Sequence, residues 1–185
     1  IENGLLAVGA PYRSVVWDFS GAAYIFDVST GDQLHFITPS DLWDQDRFGT
    51  SISIDNGVVA IGAQWDDDNG FDSGSAYIFD AITGVEVSKL LASDGAEFDL
   101  FGTSVAINGD VTVVGAKGYT GDHSGSAYVY SGITVGISDN ELDGISLYPN
   151  PGSGKVTIGN LDKISDINEI RISNSLGQLV EVINN

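Results

Sequence analysis

The residues with the greatest chemical potential in this chain of 185 residues are carboxylates and aromatic rings that fall together in three glycine-bounded segments. The densest is Asp66-Asp67-Asp68-Asn69-Gly70-Phe71-Asp72, preceded by Trp65. Oxygen ligands at alternate positions around a glycine turn are what a calcium loop needs, and Asp66, Asp68 and Asp72 offer one such register. Aligning the glycine with that of a calcium loop, however, puts Trp65 in the first ligand position. The string therefore reads as a solvated acidic loop tip, and no metal site is expected. The other two segments carry Tyr12, Trp17, Asp18 and Phe19, and Tyr119, Asp122 and His123. Aromatic faces suit sugar rings and carboxylates accept hydroxyl protons. Trp17, Trp65, Phe71 and Tyr119 are thus the candidate binding residues, for a carbohydrate or a protein ligand. The competing reading is that these rings only cover a sheet edge.

Catalysis has no comparable pattern. His35 lies in a strand and His123 in a glycine-bounded loop, and neither belongs to a nucleophile or metal motif. There is no phosphate loop, no Gly-x-Ser-x-Gly and no His-Glu-x-x-His string. With 26 acids in the chain some pair falls close together by chance, so proximity of carboxylates marks no glycosidase. A non-enzymatic protein without cofactor is expected. The alternative is the accessory repeat region of a larger secreted enzyme whose catalytic domain lies upstream.

The elements that position these segments come from a block written three times. Phe48-Gly49-Thr50-Ser51, Asn56-Gly57, Gly62-Ala63 and Ser73-Gly74-Ser75-Ala76-Tyr77 return as Phe101-Gly102-Thr103-Ser104, Asn108-Gly109, Gly115-Ala116 and Ser124-Gly125-Ser126-Ala127-Tyr128. The latter half also opens the chain, so that Gly9, Gly62 and Gly115 are spaced by 53 residues each. A period of that length signals a modular array, most simply a β-propeller. Each block reads as four strands. Asn56-Gly57 and Asn108-Gly109 are two-residue hairpin turns, which need positive φ. Ser75 to Asp80 alternates Tyr77 and Phe79 on one face with Ala76 and Ile78 on the other. Thr30-Gly31 and Thr83-Gly84 turn the third strand into the fourth. Ser40-Asp41 with Asp46, and Ser93-Asp94 with Asp99, read as turn residues that bond their own backbone. An open stack leaves sheet edges exposed, and further blades are expected upstream.

These residues carry a resemblance. Phe48-Gly49 with Gly62-Ala63, and Phe101-Gly102 with Gly115-Ala116, resemble the FG-GAP repeat of integrin-α-type propellers, and Gly9-Ala10-Pro11 keeps the proline. The resemblance implies that the phenylalanine packs between blades and the glycine lets strands approach. Family members often carry a calcium loop between the first two strands of a blade. Here that place holds Asn56-Gly57 or Asn108-Gly109, which leaves no room for it, so calcium is not carried over.

Charge sets the remaining bounds. The net charge of −19 comes from 26 acidic and 7 basic residues, and 22 of the acids but only 4 of the bases precede Gly144. Such a surface repels phosphate backbones and anionic lipid, which argues against nucleic acid and electrostatic membrane partners. Apolar runs are far shorter than the roughly 20 residues of a helical membrane span. Without cysteine there are no disulfides, thiolate zinc sites or thiol catalysis.

The pattern changes after Ser131. Residues 132–144 read as a linker, although Ile133 to Ile137 also suits a last blade strand. Ile145 to Pro151, Gly154 to Ile158, Ile170 to Ser173 and Leu176 to Val180 then read as strands of a different module. Its Tyr148-Pro149-Asn150-Pro151 string, Lys155-Val156-Thr157-Ile158 strand and Asn174-Ser175-Leu176-Gly177 turn resemble the C-terminal sorting domain of the type IX (Por) secretion system of Bacteroidetes. That resemblance implies recognition by the outer-membrane secretion machinery, with Tyr148, Pro149, Asn150 and Pro151 as the sorting motif. The family's further Gly-x-Tyr strand and basic closing strand do not follow, so a truncated module is expected. The whole is expected to be all-β: a partial β-propeller of about two and a half four-stranded blades over 1–131, then a small, truncated β-sandwich over 145–185. Its place would be outside the cell or on the surface of a Gram-negative bacterium.

Overall fold

The computed structural model describes residues 1–118 and 125–133 and, beyond them, the strand segments 146–148, 157–159, 169–173 and 179–184. The chain divides into two compact units, Ile1–Val135 and Gly136–Asn185. Every element among the described residues is a strand. No helix there is long and apolar enough to cross a membrane.

The first unit holds three antiparallel sheets that follow the repeat. The first is made of β1 (Leu5–Ala10), β2 (Ala22–Asp27) and β3 (Gln33–Ile37). The second has four strands, β4 (Phe48–Asp55), β5 (Val58–Ala63), β6 (Ser75–Asp80) and β7 (Glu86–Leu90). The third has β8 (Phe101–Asn108), β9 (Val111–Ala116) and β10 (Ser126–Ser131). Strands pair in sequence order, as a propeller blade requires. The fourth strand considered from Ile133 onward lies outside the described residues, apart from Ile133 itself.

Alternation along the strands divides each sheet into two unlike faces. In the second sheet Val59, Ile61, Tyr77 and Phe79 pack with Phe48 against Leu5, Ala23, Ile25 and Ile37 of the first. Its opposite face, Val58, Ala60, Ala76 and Ile78, receives Phe101, Ile107, Val114 and Ala116 of the third. An aromatic face thus meets a small-residue face at both junctions. Phe48 and Phe101, both fully buried, fill the seams edge-on to Tyr77 and Phe79 and to Tyr128 and Tyr130. Such contacts contribute about 0.5–1.5 kcal/mol each beyond area burial.

The paired glycines make the close approach possible. Gly9 of β1 lies against the backbone of Gly49 in β4, and Gly62 of β5 against that of Gly102 in β8. A side chain at any of them would run into the neighbouring backbone. Gly49 and Gly102 also have φ of +92° and +85°, which favours glycine. Parallel bridges from Gly21 to Phe48 and from Gly74 to Phe101 complete each junction. Asn56 and Gly57 are both left-handed, as a two-residue type I′ turn needs. The turn at Asn108-Gly109 differs from expectation. Asn108 pairs with Val111, so β8 runs through it and the two loop residues are Gly109 and Asp110.

In the second unit β11 (Ser146–Tyr148) pairs with β12 (Thr157–Gly159), and β13 (Glu169–Ser173) with β14 (Leu179–Asn184). Tyr148 ends β11. Pro149, Asn150 and Pro151 lie outside the described residues.

Candidate functional site

One rim of the first unit gathers the loops between β1 and β2 and between β5 and β6, and the connections from β3 to β4 and from β7 to β8. Antiparallel pairing puts all of these at the same end of the strands. Backbone bonds knit each connection to its loop. Gln45 and Arg47 N–H donate to the carbonyls of Asp18 and Phe19, and one repeat later Phe98 and Leu100 donate to Phe71 and Asp72. Several non-glycine residues there are left-handed: Phe19, Gln45, Arg47, Asp72, Phe98 and Leu100. Because Phe19 and Asp72, Gln45 and Phe98, and Arg47 and Leu100 are equivalent positions with unrelated side chains, the strained backbone belongs to the repeat itself.

Aromatic rings run along this rim. Trp17, 43% exposed, lies 4.9 Å between ring centroids from Trp43, which is 61% exposed. The Arg47 guanidinium sits 3.2 Å from the Trp65 ring and 5.0 Å from that of Tyr12. Phe71, 57% exposed, packs edge-on to Phe98. Between them opens a cleft of about 410 Å³ lined by Trp43, Asp44, Gln45, Trp65, Asp67, Phe71 and Asp72. Trp65 and Phe71 therefore share one cleft, while Trp17 borders it through Trp43. Tyr119 lies outside the described residues. Trp43 escaped the sequence reading because it sits in the connection before Phe48-Gly49, a segment read as turn.

Behind the cleft lies a polar hub. Lys89 Nζ is 2.6 Å from Asp41 Oδ2, 3.0 Å from Asp66 Oδ2 and 2.7 Å from Asp68 Oδ2. It also stands 5.0 Å over the Tyr77 ring. The Tyr77 hydroxyl is 2.9 Å from both Asp41 Oδ1 and Asp66 Oδ2, and its proton serves these two acceptors. Burial resists the charge on Asp41, but bonds from Lys89 and Tyr77 outweigh it and hold the carboxyl below its ordinary range. Burial likewise opposes the Lys89 charge, and the bonds to Asp41 and Asp68 override it and push the ammonium up. Burial, then the charges of Asp66 and Asp41, push the Tyr77 hydroxyl up.

Two readings of the sequence are corrected here. Asp66 is buried, not part of a solvated loop tip, because it accepts from Tyr77 and Lys89. Asp72 does not join Asp66 and Asp68; Asp41 does, and the three carboxylates lie within reach of one another. The Lys89 ammonium stands among them, where a cation would be held. Asp41 and Asp94 are also more than turn residues, since each accepts a hydroxyl from the tyrosine of the following third strand, Tyr77 and Tyr128. Asp46 and Asp99 do bond their own turns, accepting from Trp43 and Ala96 N–H. His35 contacts the Ile82 carbonyl at 2.8 Å, a structural role.

Asp46 ties both walls of the cleft. Its carboxylate accepts from Trp43 N–H at 2.6 Å and its carbonyl from Trp65 N–H at 3.3 Å, and only 4% of it is exposed. Burial raises its carboxyl pKa to about 7, against the Trp43 bond and the Lys89 charge and with help from Asp66 and Asp41. The folded protein thus keeps a proton that the unfolded chain releases near pH 4. Stability from this group is full below that pH, falls as pH rises to about 7, and is level above it, a change of at most about 4 kcal/mol. In thermal melts, wild type should lose stability relative to Asp46→Asn across that window. A constant difference would contradict this.

Comparison with families of known proteins matches residues 32–79 and 85–130 to the FG-GAP repeat. Together these cover just over half of the chain. Residues 146–185 match the secretion system C-terminal sorting domain. No curated protein matches the chain.

Proposed function

Since the chain belongs to the FG-GAP repeat family and carries a secretion-system sorting domain at residues 146–185, we propose that it is a non-enzymatic binding protein. It works outside the cell or on the surface of a Gram-negative bacterium, after export by the type IX machinery, and engages a protein or carbohydrate through its aromatic rim. Export as a secreted or cell-surface repeat protein follows from the sorting domain and the repeats. The binding reading is carried by one observation, the cleft lined by the exposed rings of Trp43 and Phe71, by Trp65 and by the carboxylates of Asp44, Asp67 and Asp72. Large exposed rings cost solvation in a monomer and mark surfaces that meet something else.

Intrinsic fluorescence reports on this directly, because all three tryptophans, Trp17, Trp43 and Trp65, lie on the rim. Titration with a true ligand should shift the emission and saturate. Trp43→Ala should weaken the ligand about tenfold, since one stacked ring contributes roughly 0.5–1.5 kcal/mol beyond its buried area. Saturable binding that leaves emission unchanged and ignores Trp43→Ala would place the binding surface elsewhere. In a host with the type IX system, deleting 146–185 should hold the protein in the periplasm.

A further inference from the structure

We propose that Asn56-Gly57, in the turn between β4 and β5, is the protein's site of spontaneous deamidation, and that the fold holds its other Asn-Gly pairs intact.

The chemistry belongs to the pair itself. The Gly57 nitrogen, once it has given up its proton to water, bonds to the Asn56 Cγ; the Cγ–Nδ2 bond breaks, ammonia leaves and a cyclic imide closes. Water then opens the imide at either carbonyl to give aspartate or isoaspartate, so one water is consumed for each ammonia released. Glycine in second place leaves the attacking nitrogen unscreened by a side chain. Two groups must be free for ring closure, the asparagine amide and the glycine N–H.

The sequence has four such pairs, Asn3-Gly4, Asn56-Gly57, Asn69-Gly70 and Asn108-Gly109, and all four asparagines are exposed. Exposure therefore does not separate them. Hydrogen bonding does. Asn3, Asn56 and Asn108 stand at the equivalent turn of the three sheets, at the end of the strands opposite the aromatic rim. Asn3 shares the left-handed geometry of Asn56, with φ of +46° against +52°, but its amide donates to the Glu2 carboxylate. Asn108 is drawn into β8, where it pairs with Val111, and the Gly109 N–H donates to Asp55 Oδ2 at 2.6 Å. Asn69, in the β5–β6 loop, donates its amide to the Ala92 carbonyl at 3.1 Å, and the Gly70 N–H donates to the Asp67 carbonyl at 3.0 Å. Among the described residues nothing bonds the Asn56 amide or the Gly57 N–H, although the Gly57 carbonyl accepts from Ala81.

Glu2 and Asp55 hold equivalent places, and where each reaches decides the outcome. Glu2 turns back on its own asparagine, whereas Asp55 crosses to the turn of the third sheet. Asp55 thus guards Asn108 and leaves Asn56 open. A hydrogen bond to a charged group must be given up before the Gly109 nitrogen can attack, which slows Asn108 about tenfold. Isoaspartate in place of Asn56 adds a backbone carbon to a turn with room for two residues, and a charge beside Asp55, so the β4–β5 hairpin loosens.

The test is peptide mapping by mass spectrometry of the full chain aged in warm, mildly alkaline buffer, both native and in concentrated urea. The native chain should convert at Asn56 first, to a mixture of aspartate and isoaspartate, about tenfold faster than at Asn108. Asn3 and Asn69 should also trail it. In urea the four sites should draw level, because only the fold distinguishes them. In Asp55→Ala, shown by melting to be folded, Asn108 should convert about tenfold faster than in the wild type. Native rates that are equal, or led by another pair, overturn the proposal, and so does an order that urea leaves unchanged. Conversion at Asn108 that Asp55→Ala leaves as it was, or slows, overturns the role of Asp55 as guard. Should that variant not fold, the comparison of native chain with urea decides alone.

Discussion

Gly62→Ala is expected to unfold the repeat unit. The new Cβ would meet the backbone of Gly102 in the adjacent sheet, and a backbone inside a paired strand cannot step aside as a flexible side chain can. Relief would require the second and third sheets to separate, exposing the seam that Phe101, Ile78 and Val114 fill. A loss of at least about 4 kcal/mol is expected, close to the whole net stability of a small domain. Gly115→Ala is the matched control, since at that equivalent position the Cβ meets chiefly the Ser104 hydroxyl of its own sheet. Circular dichroism melts should show a cooperative transition for Gly115→Ala, lowered by a few degrees, and none at ordinary temperature for Gly62→Ala. Similar melts for the two variants would mean that the sheets are not held this closely.

Lys89→Met is expected to cost about 3 kcal/mol, because removing one partner from a desolvated ionic cluster leaves the others uncompensated. Asp66 is the group most affected, being buried with its remaining support from the Tyr77 hydroxyl and the Asp68 N–H. Asp41 and Asp68 are about half exposed and relax into water at less cost. The double variant Lys89→Met with Asp66→Asn should recover part of the loss, and the coupling in that cycle measures the pair. The hub anchors the β5–β6 loop and the β3–β4 connection, which carry Trp65 and Trp43. Lys89→Met should therefore also perturb tryptophan emission in the folded state. Additive effects in the double variant would mean that Lys89 and Asp66 do not depend on each other.

Repeat, strands and seams were legible in the sequence because they are periodic. Phe48 and Phe101 recur with Gly62 and Gly115, and alternation such as Tyr77 and Phe79 against Ala76 and Ile78 already assigned the two faces. The hub was hidden for a physical reason. Asp41, Tyr77 and Lys89 are 36 and 48 positions apart, and a strand pattern says which face a residue takes but not which distant loop folds over it. A signal existed. Asp41 and Asp94 recur together with Tyr77 and Tyr128, and a recurring acid with a recurring tyrosine is a hydrogen-bond pair waiting to be tested. Arg13 and Phe36 stand where the second repeat has Asp66 and Lys89, so the cation comes from the loop in one blade and from the strand in the next. Trp43 was invisible for another reason. It has Ala96 at its equivalent place, and a site residue that does not recur gives no periodic signal.

The most direct measurement of the rim as working surface is retention of the purified chain on a panel of immobilised neutral oligosaccharides and proteins of both charge signs. It should be run for wild type and for a Trp43→Ala, Phe71→Ala variant shown by melting to be folded. Wild type is expected to be retained by at least one ligand class, to release it with unchanged mass, and to lose retention in the variant. Retention that survives the loss of both rings, or recovery of a cleaved ligand, would contradict a non-enzymatic protein that binds through this cleft.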